Sequence, residues 1–232
     1  MSLQEKVKGT RASVVAIGFS PAPGRVTITG SGFCISDDGK ILTVAHIYNQ
    51  TPLEFQPKLM AMVMTEQEER GLERYAWRPL SLIGKDDKND VAVFQVKDCE
   101  QTLLKPLELG DSEDVEVGQD MYFVGFPYAA QLMNEGFGIT LIVNKAIVSN
   151  VKQDGQDPEY PRNWFIVDAI SNPGNSGAPL IDAETNRVVG VMSIAFSIRS
   201  QNPKYSDLDI RGPMHIAGAK PINAVKGLLG GV

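Results

Sequence analysis

Asp168-Ala169-Ile170-Ser171-Asn172-Pro173-Gly174-Asn175-Ser176-Gly177-Ala178-Pro179-Leu180-Ile181 has apolar strand material at both ends and a tight Pro/Gly/Asn turn between them. One serine, Ser176, stands at the apex. Glycines at 174 and 177 permit backbone angles that a side chain forbids and allow another group to approach the main chain closely. On such a turn the N–H groups of Gly174 and Ser176 can converge on one point, the arrangement that holds the oxyanion of an acyl-transfer intermediate. The same residues also make an ordinary hairpin turn. The stretch alone leaves both readings standing, so the rest of the chain decides.

Working outward, strand follows strand. Trp164–Ala169 enters the turn, and Arg187–Phe196, rich in Val and Ile, follows it. Upstream, Ala12–Phe19, Arg25–Ser36, Ile41–Ala45, Lys58–Thr65, Tyr75–Gly84 and Val91–Val96 read as strands, with Asp38-Gly39 suited to a tight hairpin. Pro79 predicts an edge or a bulge, and the Met-rich run at 60–64 fits strand or helix. Asp120–Phe126, Ile139–Val151 and Met214–Ala219 complete the set. Loops are expected at 48–57, 127–138, 152–163 and 201–212, and a solvated tip at 66–71. Residues 1–11 read as a polar, extended lead-in and Pro221–Leu229 as a short C-terminal helix with proline near its start. The segment 98–117 reads as a crossing between two halves. Many short strands without a βαβ rhythm argue for an all-β protein.

The chain has 232 residues, 43% hydrophobic and 22% charged, with net charge −6. That is enough for one large all-β domain or two small ones. No basic cluster stands out, which argues against nucleic acid as a partner. No apolar run is long enough to span a membrane as a helix, and the N-terminus lacks the apolar core of a signal peptide. Cys34 and Cys99 make no disulfide framework, and no Cys/His grouping has metal-ligand spacing. No metal or other cofactor is expected. Only two histidines, His46 and His215, are available to any imidazole chemistry.

Three polar residues border buried strands. His46 closes Ile41–Ala45, Asp90 opens Val91–Val96, and Ser176 tops the turn. A serine hydroxyl needs a base to become a nucleophile. An imidazole can take that proton and return it to the leaving group, and a carboxylate fixes the imidazole tautomer. Asp86 and Asp87 compete with Asp90, which is preferred because it alone abuts the buried strand. His215 reads as structural and Asp168 as a strand-end acid. The 174–178 stretch ends in Ala and no helix pattern follows, so it is not a GxSxG elbow.

Gly30-Ser31-Gly32-Phe33-Cys34-Ile35 with Ile41-Leu42-Thr43-Val44-Ala45-His46 resembles the histidine region of trypsin-fold serine proteases. Asn89-Asp90-Val91-Ala92-Val93 resembles their aspartate region, and Asn172–Leu180 their serine region. The Asn-Pro-Gly-Asn-Ser-Gly wording, Leu109-Gly110-Asp111-Ser112 and Ala219-Lys220-Pro221-Ile222-Asn223 are most similar to the HtrA/DegP-like branch. The resemblance runs from about Ser13 to Leu229. It implies two six-stranded antiparallel β-barrels, 1–105 with His46 and Asp90 and 106–232 with Ser176, and a cleft between them.

It further implies a serine endopeptidase acting on polypeptides, with Ser176 as nucleophile, His46 as general base and acid, Asp90 as its partner, and Gly174 and Ser176 as oxyanion donors. Ser193 would lie near Asp90, and Ile194 and Ala195 would pair with substrate backbone. Ile170 would floor an apolar pocket suited to small or medium aliphatic residues. Ala178 departs from the commoner Gly. The family's trimers use an N-terminal segment with aromatic anchors, which Met1–Arg11 lacks, and the oligomeric state stays open. No PDZ module follows residue 230, so a stand-alone protease and a piece of a longer protein both stay open. The resemblance leans toward an extracytoplasmic setting. The competing expectation is a trypsin-fold peptide-binding protein whose cleft is latent or misformed.

Overall fold

The computed structural model describes residues 2–68, 73–153, 163–199 and 211–228. In chain order the elements are α1 (Leu3–Arg11), β1 (Val14–Ala22), β2 (Arg25–Cys34), β3 (Lys40–Thr43), α2 (Ala45–Gln50), β4 (Met60–Gln67), β5 (Glu73–Asp86) and β6 (Val91–Val96). There follow β7 (Asp120–Gly125), α3 (Ala129–Asn134), β8 (Ile142–Lys152), β9 (Trp164–Asp168), β10 (Pro179–Asp182), β11 (Val188–Arg199) and β12 (Arg211–Pro221). The strands close into two antiparallel barrels, ordered β1-β2-β3-β6-β5-β4 and β10-β11-β12-β9-β8-β7. This is the expected all-β, two-barrel architecture.

Closure explains two ambiguous segments. The Met-rich run is β4, paired with β1 (Ala16 opposite Met62) and with β5 (Met62 opposite Trp77). It fills the barrel from both sides, since Ala61, Met62, Val63 and Met64 are all buried. Pro79 lies inside the long strand β5, not on a sheet edge. It stands where the β4 partner runs out (Met60 opposite Pro79) and the β6 partner begins (Leu80 opposite Val96). Its missing N–H therefore falls at the change of partner, where the ladder does not need it.

The lead-in expected to be extended is a helix. Ser2-Leu3-Gln4-Glu5 forms a capping box, with the Ser2 hydroxyl accepting from the Glu5 N–H and the Glu5 carboxylate accepting from the Ser2 N–H. Lys8 and Arg11 lie in its last turn, where positive charge suits the helix dipole. The helix bridges the barrels. Lys6 Nζ donates to the carbonyls of Ala183 (2.5 Å) and Glu184 (2.9 Å), and the hydroxyls of Thr10 and Tyr122 are 3.3 Å apart. On the other side Arg11 pairs with Glu73 of β5 at 2.8 Å.

Two further segments differ from expectation, one gaining helix and one losing it. The loop expected at 127–138 contains α3, and the C-terminal helix expected over Pro221–Leu229 is a 3-10 turn, Ile222–Val225. Asn223 ties that turn to the crossing segment, its amide donating to Asp111 Oδ1 at 2.6 Å and its backbone N–H donating to Ser112 Oγ at 3.2 Å. Most of the expected 152–163 and 201–212 loops, part of the 66–71 tip, and Leu229 lie outside the described residues. The buried core around the first barrel continues into Tyr122, Val124, Phe126, Ile181 and Val191 of the second, so apolar packing holds the barrels together across the cleft.

Candidate active site

His46 does not end a strand. The ladder between β3 and β6 stops at Thr43 opposite Ala92, Val44 remains extended, and α2 begins at Ala45. Ile47 of α2 is buried against Gly30, where an added Cβ would come within 2.3 Å of its Cδ1. The glycine of the Gly-Ser-Gly stretch thus makes room for the helix that carries the imidazole. Burying a side chain of that size contributes about 1.5–3 kcal/mol.

Asp90 closes the turn before β6 with φ +52, a left-handed conformation that Asp adopts more readily than most residues. Its carboxylate is fully engaged. Oδ1 accepts the His46 backbone N–H at 2.9 Å, and Oδ2 lies 2.8 Å from His46 Nδ1 and accepts the Ser193 hydroxyl at 2.5 Å. Burial pushes the Asp90 carboxyl up, but the hydrogen bonds from His46 and Ser193 outweigh it and hold the group below the usual carboxylate range. A carboxylate only accepts, so Nδ1 carries a proton, and the neutral ring then has its lone pair on Nε2.

Of the three neighbouring acids, Asp90 is the one that reaches His46. Asp86 caps its own turn through Lys88 and Asn89, and Asp87 pairs with Lys85 and Asn49. His215 is exposed on β12 and Asp168 is exposed at the end of β9.

The serine loop is drawn tight by backbone bonds. The N–H of Asn175 donates to Asn172 at 2.9 Å, Ala178 to Asn175 at 2.9 Å, and Gly177 to Met192 at 2.7 Å. The intervening N–H groups of Gly174 and Ser176 have no acceptor among the described residues. Gly174 (φ +102) and Gly177 (φ +86) are required twice over. A Cβ at 174 would lie 2.4 Å from the Phe126 carbonyl oxygen, and one at 177 would lie 1.9 Å from that of Ser31. Ala178 is buried beside Gly125, whose lack of a side chain leaves space for the departure from glycine.

The Ser176 hydroxyl donates to the Ser193 carbonyl at 3.4 Å, and no hydrogen bond joins it to His46. The buried Asn175 side-chain amide has no partner among the described residues, an arrangement that costs about 1–3 kcal/mol.

An open groove of ≈ 740 Å³ runs from His46 and Asp90 along Ser193, Ile194 and Ala195 to Trp164. Lys220 flanks it, its ammonium 3.9 Å from the Trp164 ring centroid. Beyond its contact with β10, which ends at Pro179 opposite Val191, the β11 edge carrying Ser193–Ala195 has no second strand among the described residues. Ile170, the expected pocket floor, is half buried and does not line this groove. Trp164 and Lys220 drew no attention in the sequence, nor did the anchoring bonds of Ser31. A serine between two glycines inside a buried strand was the available signal for the last.

Fold and cleft together define a two-barrel protein with a carboxylate–imidazole pair on one barrel facing a serine loop on the other. The chain belongs to the trypsin-like peptidase domain family, whose model matches residues 30–191. It is 32% identical over 192 residues to a DegP-like periplasmic serine endoprotease of Halomonas elongata, covering 81% of this chain and 33% of that protein. The chain therefore spans about a third of that relative's length. Among solved structures, Deg5 is similar with a TM-score of 0.66 at 24% identity, covering 97% of this chain and 93% of the other. The HtrA-type protease AlgW with a decapeptide gives 0.68 at 20% identity, covering 99% and 67%.

Proposed function

We propose that this chain is a serine endopeptidase that cleaves polypeptides through an acyl-enzyme, with Ser176, His46 and Asp90 as the catalytic residues. The observation that carries the reading is the fully bonded Asp90 carboxylate, which holds the His46 ring with Nε2 free to act as a base. His46 Nε2 takes the Ser176 proton as Oγ attacks the scissile carbonyl. The C=O electron pair moves onto oxygen, where the N–H groups of Gly174 and Ser176 stabilise it; one such donor is worth about 10²–10³ in rate. The pair then returns, the C–N bond breaks, and His46 gives its proton to the departing amine. Water repeats the sequence on the ester.

The open β11 edge at Ile194 and Ala195 supports substrate binding by strand addition. Ile170 presents no charge, so small or medium aliphatic residues are the proposed preference before the scissile bond. The solved AlgW structure with a decapeptide supports polypeptides as partners, and the periplasmic description of the Halomonas relative favours an extracytoplasmic setting. Cleavage of a peptide library tests this. Val and Ala peptides are expected to be cut faster than Arg and Lys ones, and the reverse order overturns the pocket assignment.

One observation favours a second reading, a peptide-binding cleft held latent: Ser176 bonds to the Ser193 carbonyl and not to His46. Catalytic hydrogen bonds are often loose before substrate arrives, so the protease reading leads.

A further inference from the structure

Ser31 lies on β2 of the first barrel and is completely buried. Its hydroxyl donates to the Gly174 carbonyl at 2.7 Å and accepts the Phe126 N–H at 2.9 Å, so both its donor and an acceptor site are used. Its backbone N–H donates to the Ser176 carbonyl at 2.8 Å. Its own carbonyl accepts from Thr43 Oγ1 at 2.7 Å. One residue of the opposite barrel therefore grips both residues whose N–H groups have no acceptor among the described residues.

The adjoining peptide is fixed from elsewhere, the Tyr128 N–H donating to the Pro173 carbonyl at 2.8 Å. In a trans peptide the N–H points opposite to the C=O, so that bond sets the direction of the Gly174 N–H. The next peptide plane is held at its carbonyl by the Ser31 hydroxyl and at its N–H by the Asn172 carbonyl, so Ser31 supplies the one anchor on this plane that comes from the first barrel; glycine by itself turns freely between such orientations.

We infer that Ser31 is a positioning residue for acyl transfer, its hydroxyl locking the 173–176 loop with the Gly174 and Ser176 N–H groups aimed at the developing oxyanion. This rests on the endopeptidase reading above.

The test compares wild type with Ser31→Ala and Ser31→Cys, the latter filling the same space with a weak hydrogen-bonding group. Three quantities are measured: kcat and KM on a cleaved peptide, affinity for a peptidyl trifluoromethyl ketone, and affinity of the uncleaved peptide in a Ser176→Ala background. The ketone reports the loop directly. Ser176 Oγ bonds to its carbonyl carbon, the π pair becomes the oxyanion, and the serine proton passes to His46.

Ser31→Ala is expected to lose about ten- to a hundredfold in kcat, with KM within about twofold and ketone affinity falling in step with kcat/KM. Ser31→Cys falls between, and carries the test alone if the alanine variant does not fold. Uncleaved-peptide affinity stays unchanged. A folded variant with wild-type kcat and ketone affinity overturns the assignment, as does a loss confined to peptide binding. A wild type that neither cleaves peptide nor captures the ketone overturns the endopeptidase reading itself, which separates the two failures.

Discussion

On the first-barrel side of the cleft, every acceptor position of Asp90 that matters is occupied by a donor from α2 or β11, and the His46 ring follows from that. On the second-barrel side, the Ser176 loop contains a buried amide without a partner and a hydroxyl that bonds to a carbonyl instead of the imidazole. Its own backbone bonds close the turn, and further anchors come from Ser31, Tyr128 and Met192. The acid–base half is thus fixed by hydrogen bonds to one carboxylate, one of them reaching over from Ser193 of the second barrel, while the nucleophile half combines its own turn bonds with an anchor from Ser31 of the first. Such a division makes the second half the natural place for activity to be lost without unfolding, because its hydroxyl is not bonded to the imidazole and its buried amide holds no partner among the described residues.

Breaking the acid–base half has the largest expected effect. Asp90→Asn preserves shape but reverses the hydrogen-bonding demand on His46 Nδ1, and kcat should fall about 10⁴-fold in a peptide cleavage assay. A loss under tenfold would mean that His46 is oriented by something else. The same variant reads the stability link. The carboxyl of Asp90 is lowered on folding, so its contribution is present above the unfolded value near pH ~3.9 and fades as pH falls through the folded value. Chemical denaturation of wild type and Asp90→Asn should therefore differ most above about pH 4 and converge in stronger acid; a constant gap would contradict it.

Breaking the loop comes next. Gly174→Ala forces a Cβ against the Phe126 carbonyl at a positive φ. The expected result is a loss of about 10²–10³ in kcat with the His46–Asp90 pair intact, checked by steady-state kinetics together with the NMR signal of the His46 ring N–H. Ser193→Ala removes one donor from Asp90 and leaves two, so kcat should drop only about tenfold, roughly the 1.5 kcal/mol of a hydrogen bond to a charged group. The smallest effect on rate is expected from Lys6→Met. It leaves the Ala183 and Glu184 carbonyls without their donor and should lower unfolding free energy by about 1–3 kcal/mol, with cleavage near wild type under folded conditions. A large kinetic effect would extend the inter-barrel dependence to the N-terminal helix.

The same contrast governs what the residues disclosed before folding. The alternating strands and the choice of Asp90 over Asp86 and Asp87 as the acid beside His46 were readable because each rests on a short local pattern. Helix α2 was not, because Ile41–Ala45 is apolar but for Thr43 and nothing in it reveals that the β6 partner ends at Ala92. Helix α1 has a weaker signal: Ser2 and Glu5 have capping-box spacing, but the run is charged and its apolar face is only Leu3 and Val7. Pro79 misled because only barrel closure supplies partners on both of its sides. Ser31 illustrates the remaining difficulty. Its bonds join residues 143 positions apart in sequence, and no local pattern encodes a contact between barrels.

The account depends on Ser176 becoming a nucleophile when His46 takes its proton. Intact-mass analysis after treatment with a fluorophosphonate tests this most directly. The account predicts one adduct per chain, mapped to Ser176, absent in Ser176→Ala and formed at least about a thousandfold more slowly in His46→Ala. An unlabelled wild type, or labelling that persists without Ser176, would contradict it.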